Sequence, residues 1–377
     1  MSDVVSGVLK LAERGGGVLR DPARSFVPGP GDVVVPPPLV RDCGLVEGAT
    51  VAGPVRRAGR QTELIAADSI CGLDREAFLS RPRFDDLVAI DPCQRFHLAC
   101  TDSLSMRVVD LIAPIGKGTR GLIVSPPKAG KTMLLMDVAR SVRRDDPETR
   151  IIVLLIDERP EEVTHFRRGV DAEVLASTSD QSMQQHVDLA ELTLAHIRVD
   201  LECGRDVVVL VDSLTRMGRA FNQADPASVR NRRGRSRTSR RILSGGLEAG
   251  SMEIPRRFFG LARNIEGGGS VTILATALID TGSRMDQVIF EEFKGTGNCE
   301  IVLDRSLADR RVFPAIDLTA SGTRKEERLY EAEAIRRLAK LRRALADRDP
   351  KEAMELMLEQ LQKYPTNEAF LKSIPLK

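Results

Sequence analysis

Residues 120–135, RGLIVSPPKAGKTMLL, join an apolar run to a helical pattern through a short loop. Gly130, Lys131 and Thr132 stand where that loop meets the predicted helix. Backbone N–H groups at a helix start bind phosphate, and a lysine followed by a hydroxyl residue there is typical of a nucleotide phosphate-binding loop. Ser125 replaces the first glycine of the usual pattern. The stretch therefore predicts a nucleotide-binding α/β domain with an imperfect motif.

Three more apolar, β-rich runs follow this loop along the chain. They occupy residues 150–157, 206–212 and 270–278, and helical stretches separate them. In one such stretch apolar residues recur three, four or seven positions apart from Met183 until Gly204 ends the pattern. Strands that are apolar on both faces and alternate with helices predict a parallel sheet covered on both sides.

Acidic residues end two of these predicted strands. Asp212 closes the run at 206–212, where a carboxylate can orient Mg²⁺. Asp157, Glu158 and Arg159 close another run, at the sheet edge where open α/β folds bind ligands. Glu158 is the predicted general base, because a carboxylate there can deprotonate the attacking water. Together with the loop, these strand ends disfavour an ordinary α/β protein with a chance motif.

Two flanking regions have a different composition. Up to about residue 98, short β-like pieces broken by Gly and Pro predict a small all-β barrel, with the proline-rich residues 26–38 at an edge or in a loop. From Arg324 the chain reads as charged amphipathic helices interrupted at Asp349–Pro350. The predicted domains are residues 1–98, 99–328 and 329–377.

Charge is balanced over the chain but concentrated in one place. The sequence has 56 Lys plus Arg and 54 Asp plus Glu, yet residues 229–241, VRNRRGRSRTSRR, hold seven arginines and no acid. A generic nucleic-acid coat protein would spread its positive charge more widely. No apolar run reaches the length of a membrane helix, no signal-peptide pattern is visible, and the six cysteines form no CxxC pair. These features favour a cytoplasmic protein with reduced thiols.

Several uncommon phrases resemble the transcription termination factor Rho family. They are LLIDERPEEVTHF at 154–166, VDSLTRMGRAFN at 211–222, ATALIDTGSRMDQVIFEEFKGTGN at 275–298 and RRVFPAIDLTASGTRKEE at 310–327. The resemblance implies a RecA-like P-loop ATPase preceded by an oligonucleotide-binding barrel of cold-shock type. It also implies a homohexamer that uses ATP and Mg²⁺, translocates along single-stranded RNA and releases transcripts from RNA polymerase in the bacterial cytoplasm.

The resemblance assigns roles around the nucleotide. Arg324 matches an arginine finger that reaches the γ-phosphate of the neighbouring subunit, although an isolated arginine is more often a solvated surface charge. Glu158, Lys131, Asp212 and Arg324 are the expected catalytic residues, and Thr132 with Asp212 would hold Mg²⁺. The expected nucleotide-binding residues are Lys128, Ala129, Gly130, Lys131, Thr132, Met133, Arg159, Arg216 and Phe313.

The resemblance also places two loops in a central pore that grips RNA. One is 280–285, where Arg284 stands in place of the family's lysine beside Gly282 and Ser283; Lys294 is a further candidate. The other loop contains the arginine run, as an insertion relative to the family. Its arginines are Arg230, Arg232, Arg233, Arg235, Arg237, Arg240 and Arg241. Phosphate contact by this run is one interpretation, and a passive solvated loop is the other.

The barrel departs from the family where aromatic residues are expected to stack on bases. Those positions are Gly16, Val18 and Val34, and Phe26 alone cannot replace them. Stacking contributes about 1–3 kcal/mol per base, so the hypothesis is a weakened primary RNA site. Alternatively, other strands supply aromatics.

Two other functions compete with a termination helicase. One is an RNA-binding ring whose ATPase is regulatory or vestigial, and the other is a rotary-type or recombinase-like motor on DNA. The intact Lys131, Glu158 and Asp212 disfavour the first, and the phrases DERPEE and FKGTGN disfavour the second.

Overall fold

A computed structural model describes residues 4–59, 61–224, 244–248 and 250–376. Its N-terminal part is a barrel in the strand order β1-β2-β3-β5-β4-β6, with an additional β1–β4 pairing. That pairing closes the first five strands into a ring, which confirms the predicted all-β barrel. The strands are β1 Val4–Leu11, β2 Gly17–Arg20, β3 Val33–Val35, β4 Thr50–Ala58, β5 Gln61–Leu64 and β6 Ser69–Ile70. Two short helices belong to this part, α1 Pro37–Asp42 and α2 Arg75–Ser80.

The proline-rich region contains a central strand, so its assignment to an edge or a loop was wrong for Val33–Val35. This strand pairs antiparallel with β2 and parallel with β5. The pairing is possible because the strand is only 3 residues long and the prolines lie outside it. Pro36 occupies the N-cap position of α1, and Pro37 is the first residue of the helix, where a missing N–H costs nothing.

The second part is a mainly parallel sheet in the order β10-β9-β11-β13-β8-β14-β15, with β12 and β7 added beside β13. Its four predicted strands are present, and they are β8, β9, β11 and β13. The strands are β7 Ala89–Ile90, β8 Arg120–Ser125, β9 Arg150–Glu158, β10 Glu173–Thr178, β11 Asp206–Asp212, β12 Arg263–Ile265, β13 Ser270–Leu278, β14 Cys299–Val302 and β15 Gly322–Thr323. Within the described part of this sheet, the antiparallel pairs are β12 with β13, β12 with β7 and β14 with β15.

Helices cover both faces of this sheet. Alternate residues of β9 enter different cores: Ile151 and Val153 face one apolar cluster, Ile152 and Leu154 the other. The helices are α3 Leu104–Ile112, α4 Lys131–Asp145, α5 Pro160–Gly169, α6 Met183–Glu202, α7 Leu214–Gln223, α8 Glu253–Gly260, α9 Arg284–Phe293, α10 Arg305–Asp309, α11 Ala332–Ala346, α12 Pro350–Lys363 and α13 Asn367–Ser373. In the ranges that the structure describes, no helix is long and apolar enough to cross a membrane.

The C-terminal helices complete one of the two cores. Leu338 of α11 and Met354 of α12 lie in the same apolar cluster as α3 and α4. Arg107 of α3 fixes this packing, because its guanidinium donates to the Leu361 carbonyl at 2.7 Å and to Asn367 Oδ1 at 3.0 Å. The predicted interruption at Asp349–Pro350 is the start of α12, where the Asp349 side chain caps the helix.

The barrel docks on α6 and on the outer strand β10. His196 of α6 is fully buried, and its Nδ1 donates to the Gly48 carbonyl at 2.7 Å. Burial and the neighbouring Arg150 guanidinium lower the pKa of His196. Phe26 packs edge-on against the same imidazole with a centroid distance of 6.1 Å. Beside it, the Ser25 hydroxyl accepts a hydrogen bond of 2.9 Å from the Ala176 amide in β10.

Gly48 is required at this interface for two separate reasons. Its φ is +86°, and a Cβ there would lie 2.7 Å from the Ala195 carbonyl oxygen. Gly15 has a similar φ of +83° but nothing within 4 Å. We expect Gly15→Ala to cost about 1 kcal/mol of unfolding free energy, from backbone strain alone.

Gly48→Ala should cost about 3 kcal/mol or more, because the clash with α6 adds to the strain. Denaturant unfolding of the two variants measures both values. Equal losses in the two variants would contradict close docking of the barrel on α6.

Candidate functional site

The candidate nucleotide site lies at the carboxyl edge of the parallel sheet. The strands β8, β13, β11 and β9 are adjacent and parallel, so their carboxyl ends meet there. Ser125 ends β8, Asp212 ends β11 and Glu158 ends β9. The fold therefore brings the predicted phosphate loop and both predicted acidic residues to one place.

The phosphate loop turns sharply before α4. Lys128 has a φ of +66° and Gly130 one of +94°, and α4 begins at Lys131. The first amides of this 15-residue helix thus face the loop, which suits an anion. Ala129 is buried beneath the turn, whereas Lys128 is exposed. Thr132 lies in the first turn of the helix and is half-buried.

Two large apolar side chains remain exposed beside this loop. Met133 is 50% exposed and Phe313 is 48% exposed. A Cβ on Gly130 would lie 3.7 Å from the Phe313 ring, so that ring borders the loop. Such surfaces suit the faces of an aromatic base. The structure thus places Met133 and Phe313, two of the expected nucleotide-binding residues, beside the loop.

Asp212 is almost fully buried and both of its carboxylate oxygens have partners. It is 2% exposed. Lys131 Nζ donates to Oδ2, and Thr276 Oγ1 donates to Oδ1 at 2.8 Å. Sequence reasoning missed Thr276, which lies in β13; a hydroxyl residue inside the apolar run SVTILATAL was the available signal.

Glu158 combines burial with one oxygen that has no partner. It is 5% exposed, and Oε1 accepts from the Arg159 amide at 3.2 Å and from Arg216 Nη2 at 3.4 Å. Oε2 has no hydrogen-bond partner among the described residues and lies 3.9 Å from Lys131 Nζ. Burial and the Asp212 carboxylate raise the pKa of Glu158, and the Lys131 and Arg216 charges oppose them. A buried, unpaired carboxylate oxygen is suited to accept a proton from water.

Arg216 holds the end of β9 in place. Its Nη1 donates to the Asp157 carbonyl at 2.5 Å and to Asp157 Oδ2 at 3.2 Å. Asp157 needs this support, because its φ is +54°. Arg159 follows at the N-cap of α5 and is exposed. Arg216 therefore positions the turn that carries Asp157 and Glu158, and it also lies beside the candidate nucleotide site.

Arg324 lies at the other edge of the sheet. It follows β15, which runs antiparallel to β14, and Thr323 pairs with Cys299 at the amino end of β14. Cys299 in turn pairs with Gly121 near the start of β8, four residues before Ser125. At about 3.3 Å per residue, these four residues separate the two edges by about 13 Å. Arg324 is exposed there and is not brought to the phosphate loop of its own chain.

The predicted pore loop at 280–285 is anchored by an ion pair whose carboxylate is buried. Asp286 is 1% exposed and accepts from Arg219 Nε at 2.7 Å and Nη2 at 2.5 Å. It also accepts from the Thr281 hydroxyl at 2.6 Å, while the Ser283 hydroxyl accepts from the Asp286 amide. Sequence reasoning missed this pair, although Arg216 and Arg219 stand three residues apart in VDSLTRMGRAFN.

The candidate RNA-binding residues fall into separate groups. Gly282, Ser283 and Arg284 lie together at the start of α9, and Gly282 and Arg284 are exposed. Lys294 caps the other end of this 10-residue helix, about 15 Å away at the usual rise. The arginine run, Arg230, Arg232, Arg233, Arg235, Arg237, Arg240 and Arg241, lies outside the described residues.

On the outer face of the barrel, the paired residues of β1, β2, β3 and β5 have no aromatic rings. Val18 pairs with Lys10 on one side and with Val34 on the other, and Val34 pairs with Glu63. At Gly16 a Cβ would lie 2.9 Å from the Val35 carbonyl oxygen, so this backbone excludes any side chain there.

The strands of the barrel contain no aromatic residue that could take over the stacking role. Phe26 and Phe78 are the aromatic residues of the first 80 positions, and they are 6% and 0% exposed. The alternative that other strands supply aromatics is therefore wrong for this barrel.

Basic side chains around the same face are paired with acids. Lys10 Nζ lies 3.6 Å from Asp188 Oδ1 of α6, and Arg56 Nη2 lies 3.0 Å from Glu63 Oε2. Arg20 forms a third ion pair, with Asp32. These acids offset part of the charge that would attract phosphate.

Together these features define a class of protein, a P-loop ATPase of α/β fold joined to an oligonucleotide-binding barrel. Family comparison agrees in both parts. Residues 105–323 match the nucleotide-binding domain of the ATP synthase alpha/beta family, and residues 5–76 match the Rho termination factor RNA-binding domain. Among solved structures, a type III secretion system ATPase of pathogenic bacteria superposes with a TM-score of 0.62 and 22% identity. It covers 77% of this chain and 87% of that one, which supports the fold.

Whole-chain relatives identify the family. The transcription termination factor Rho of Aquifex aeolicus is 49% identical over 98% of this chain and 84% of its own length. That of Cereibacter sphaeroides is 46% identical over 98% of this chain and 86% of its own. The Streptomyces lividans factor is 48% identical over 93% of this chain but only 49% of its own length.

The chain belongs to the transcription termination factor Rho family. This confirms the resemblance, the fold class and the predicted function, an ATP-dependent RNA-binding termination factor with ATPase activity. The relatives do not favour the alternative of a ring with a vestigial ATPase.

The barrel face yields a prediction about RNA affinity. Restoring rings at the two open positions, in the full chain with Val18→Phe and Val34→Tyr, should tighten binding of a short cytidine-rich single strand at least about fivefold, since each stacked base contributes about 1–3 kcal/mol. Fluorescence anisotropy measures the affinity. Val88→Phe is the control, because Val88 is 59% exposed and lies outside the barrel. Unchanged affinity in the double variant would show that missing rings do not limit this face.

Proposed function

We propose that this chain is an ATP-driven translocase that moves along single-stranded RNA as a six-membered ring and releases transcripts from RNA polymerase in the bacterial cytoplasm. One observation carries the proposal. Glu158 and Lys131 lie together at the carboxyl edge of the sheet, whereas Arg324 is exposed at the opposite edge. A neighbouring subunit's Arg324 would complete the site. We further propose functional divisions at residues 1–98, 99–328 and 329–377.

Each residue of the site has a distinct role in hydrolysis. The amino end of α4 and Lys131 would bind the phosphates, with Lys128 nearby. Thr132 and Asp212 would hold Mg²⁺, and their hydroxyl and carboxylate oxygens suit this hard cation. An ion held by these two residues would supply positive charge beside the phosphates. Glu158 Oε2 would take the proton of the attacking water, and Thr276 holds the other oxygen of Asp212 in place.

The helix α7 offers a route between the nucleotide and RNA. Arg216 supports the turn that carries Glu158, and Arg219, one helical turn further, holds Asp286 beneath the pore loop. A movement of α7 would therefore displace both the base and the residues around Arg284. We propose that RNA contact at Arg284 stimulates hydrolysis through this helix.

A test of the shared site uses two inactive variants. Glu158→Gln should lower ATP turnover at least about a hundredfold, through loss of the base, while ATP binding remains. Arg324→Ala should do the same from the other side of the subunit interface. Mixing the two variants before assembly should restore RNA-stimulated turnover, because roughly a quarter of interfaces then pair an intact Glu158 with an intact Arg324. Phosphate release with single-stranded RNA measures the rate.

Two controls make the outcome decisive. Arg328→Ala, a neighbouring exposed arginine that pairs with Asp91 at 3.6 Å, should keep its turnover. Mixing wild type with Glu158→Gln shows how many inactive sites a ring tolerates. If the ring tolerates them but the two inactive variants together stay inactive, Arg324 does not act in trans. Retained turnover in Glu158→Gln would remove that residue from the role of base.

The arginine run supports a second part of the proposal. Six copies of residues 229–241 would add a large positive charge near the pore loops, and we propose that they grip RNA phosphates. Replacing the seven arginines by glutamine keeps the loop length and removes the charge. The slope of log affinity against log salt should then fall by about 0.7 for each phosphate that the run no longer neutralises. Anisotropy over a salt series measures it, and an unchanged slope would make the insertion a passive loop.

A further inference from the structure

The chain that joins the barrel to the ATPase domain runs beside the segment that carries Arg324. Residues 91–103, between β7 and α3, form the connector, and residues 324–330, which follow β15, form the finger segment. Asp91 of the connector and Lys325 of the finger segment are 234 positions apart in the sequence, yet their side chains are hydrogen-bonded. This contact therefore exists only in the folded chain.

An ion pair joins the first residue of the connector to the residue after Arg324. Lys325 Nζ donates to both Oδ1 and Oδ2 of Asp91, each at 3.0 Å. Arg328 Nη2 lies further away, 3.6 Å from one of these oxygens, so it adds positive charge while Lys325 makes the hydrogen bonds. The hydrogen bond from Lys325 lowers the pKa of Asp91, and the carboxylate is therefore charged at neutral pH.

Packing holds the connector and the finger segment together over a longer stretch. A Cβ on Gly116 would lie 3.0 Å from Pro92 Cβ and 2.7 Å from Leu329 Cδ2, so this glycine borders both segments. The guanidinium carbon of Arg95 lies 4.0 Å from the centroid of the Tyr330 ring. A displacement of the connector would therefore displace the finger segment as well.

The backbone at Lys325 needs support from its surroundings. Its φ is +57°, a left-handed conformation that is uncommon for a residue with a side chain. The preceding Arg324 is tied to the sheet, because its amide donates to the Asn298 carbonyl at 2.7 Å. The following Glu326 is tied to α11, because Arg342 donates to both of its carboxylate oxygens. Of these three consecutive residues, Lys325 is the one whose side chain bonds to the connector.

We propose that Asp91 is a positioning residue, which holds the backbone turn at Lys325 so that the Arg324 side chain reaches the phosphates bound by the neighbouring subunit. This inference rests on the proposed function, because it concerns the arginine that would complete the shared site. Asp91 acts through the backbone at Lys325 and not on the reacting phosphate. Its loss should therefore impair the half of the site that contributes the arginine and spare the half that contains Glu158.

The exposure of the ion pair separates positioning from stability. The side chains of Asp91 and Lys325 are 35% and 58% exposed. Ion pairs this exposed contribute little to the free energy of unfolding. Loss of the pair should therefore leave assembly and thermal unfolding unchanged, while it frees a short turn next to Arg324. A loss of turnover without a loss of stability is the expected signature.

A mixing experiment with full-length chains shows which half of the site depends on Asp91. Asp91→Lys places a positive charge against Lys325 and should lower RNA-stimulated ATP turnover at least about tenfold, because the arginine is misplaced. Mixing it with Glu158→Gln before assembly should restore turnover, since one chain supplies the base and the other a correctly held Arg324. Mixing it with Arg324→Ala should restore nothing, since both chains are defective in the same half. Phosphate release with single-stranded RNA measures each rate.

Two further variants serve as controls. Asp102→Lys, the same change at an exposed aspartate of the connector, should keep its turnover. Asp91→Asn preserves the size of the side chain and should lower kcat about threefold or more, with the KM for ATP unchanged. In a chain that already carries Arg324→Ala, Asp91→Asn should cause no additional loss, because the residue that it positions is absent.

The possible contrary results have different meanings. Rescue of Asp91→Lys by Arg324→Ala, and not by Glu158→Gln, would overturn the proposal, because Asp91 would then support the nucleotide half of its own chain. Unchanged turnover in the Asp91 variants would overturn it too. If Asp91→Lys does not assemble, an additional loss from Asp91→Asn in the Arg324→Ala chain excludes the positioning role.

Failure of the shared site itself is recognised without any change at Asp91. If Arg324→Ala alone keeps its turnover, or if its mixture with Glu158→Gln stays inactive in rings that tolerate inactive sites, the proposed action of Arg324 in trans is wrong and this inference falls with it. If those two tests succeed and the Asp91 variants behave like wild type, only the positioning role is wrong.

Discussion

The buried carboxylate of Asp212 constrains the whole nucleotide site. A charge at 2% exposure is costly unless it is paired and hydrogen-bonded. Lys131 meets this requirement from the start of α4, and Thr276 meets it from β13. Three elements, α4, β11 and β13, are thereby tied near their ends, which fixes the phosphate loop against the carboxyl ends of these two strands. The sheet order serves this arrangement, since β13 lies between β8 and β11.

Sequence reasoning reached the strands of the ATPase domain because each is buried on both faces and reads as an unbroken apolar run. It predicted Lys131 because the phosphate loop directly follows an apolar run, and it predicted Asp212 and Glu158 because each of these acids ends an apolar run. It failed at Val33–Val35, where three residues sufficed for a central strand between prolines. Contacts formed only in the folded chain were out of reach: Thr276 against Asp212, Arg219 against Asp286, and Phe26 against His196.

The two described surfaces that we propose to contact RNA differ in how their charges are paired. On the barrel, Lys10, Arg20 and Arg56 are paired with acids of the same chain, and the neighbouring open positions hold valine. At the start of α9, by contrast, Arg284 is exposed. The neighbouring Asp286 carboxylate is already paired with Arg219. Of these four basic side chains, Arg284 is therefore the one without an acid partner among the described residues.

The antiparallel turn of β15 has a consequence for how such a chain evolves. By reversing direction, it carries Arg324 to the sheet edge away from Lys131 and Glu158. On the proposed shared site, each subunit would hold halves of two different active sites, one completed by each neighbour. Compensation between a change near Glu158 and a change near Arg324 would then have to cross a subunit boundary, so selection would act on the fit between copies of one gene product. A chain with both halves intact would be inert alone, and assembly itself would be the step that switches on hydrolysis.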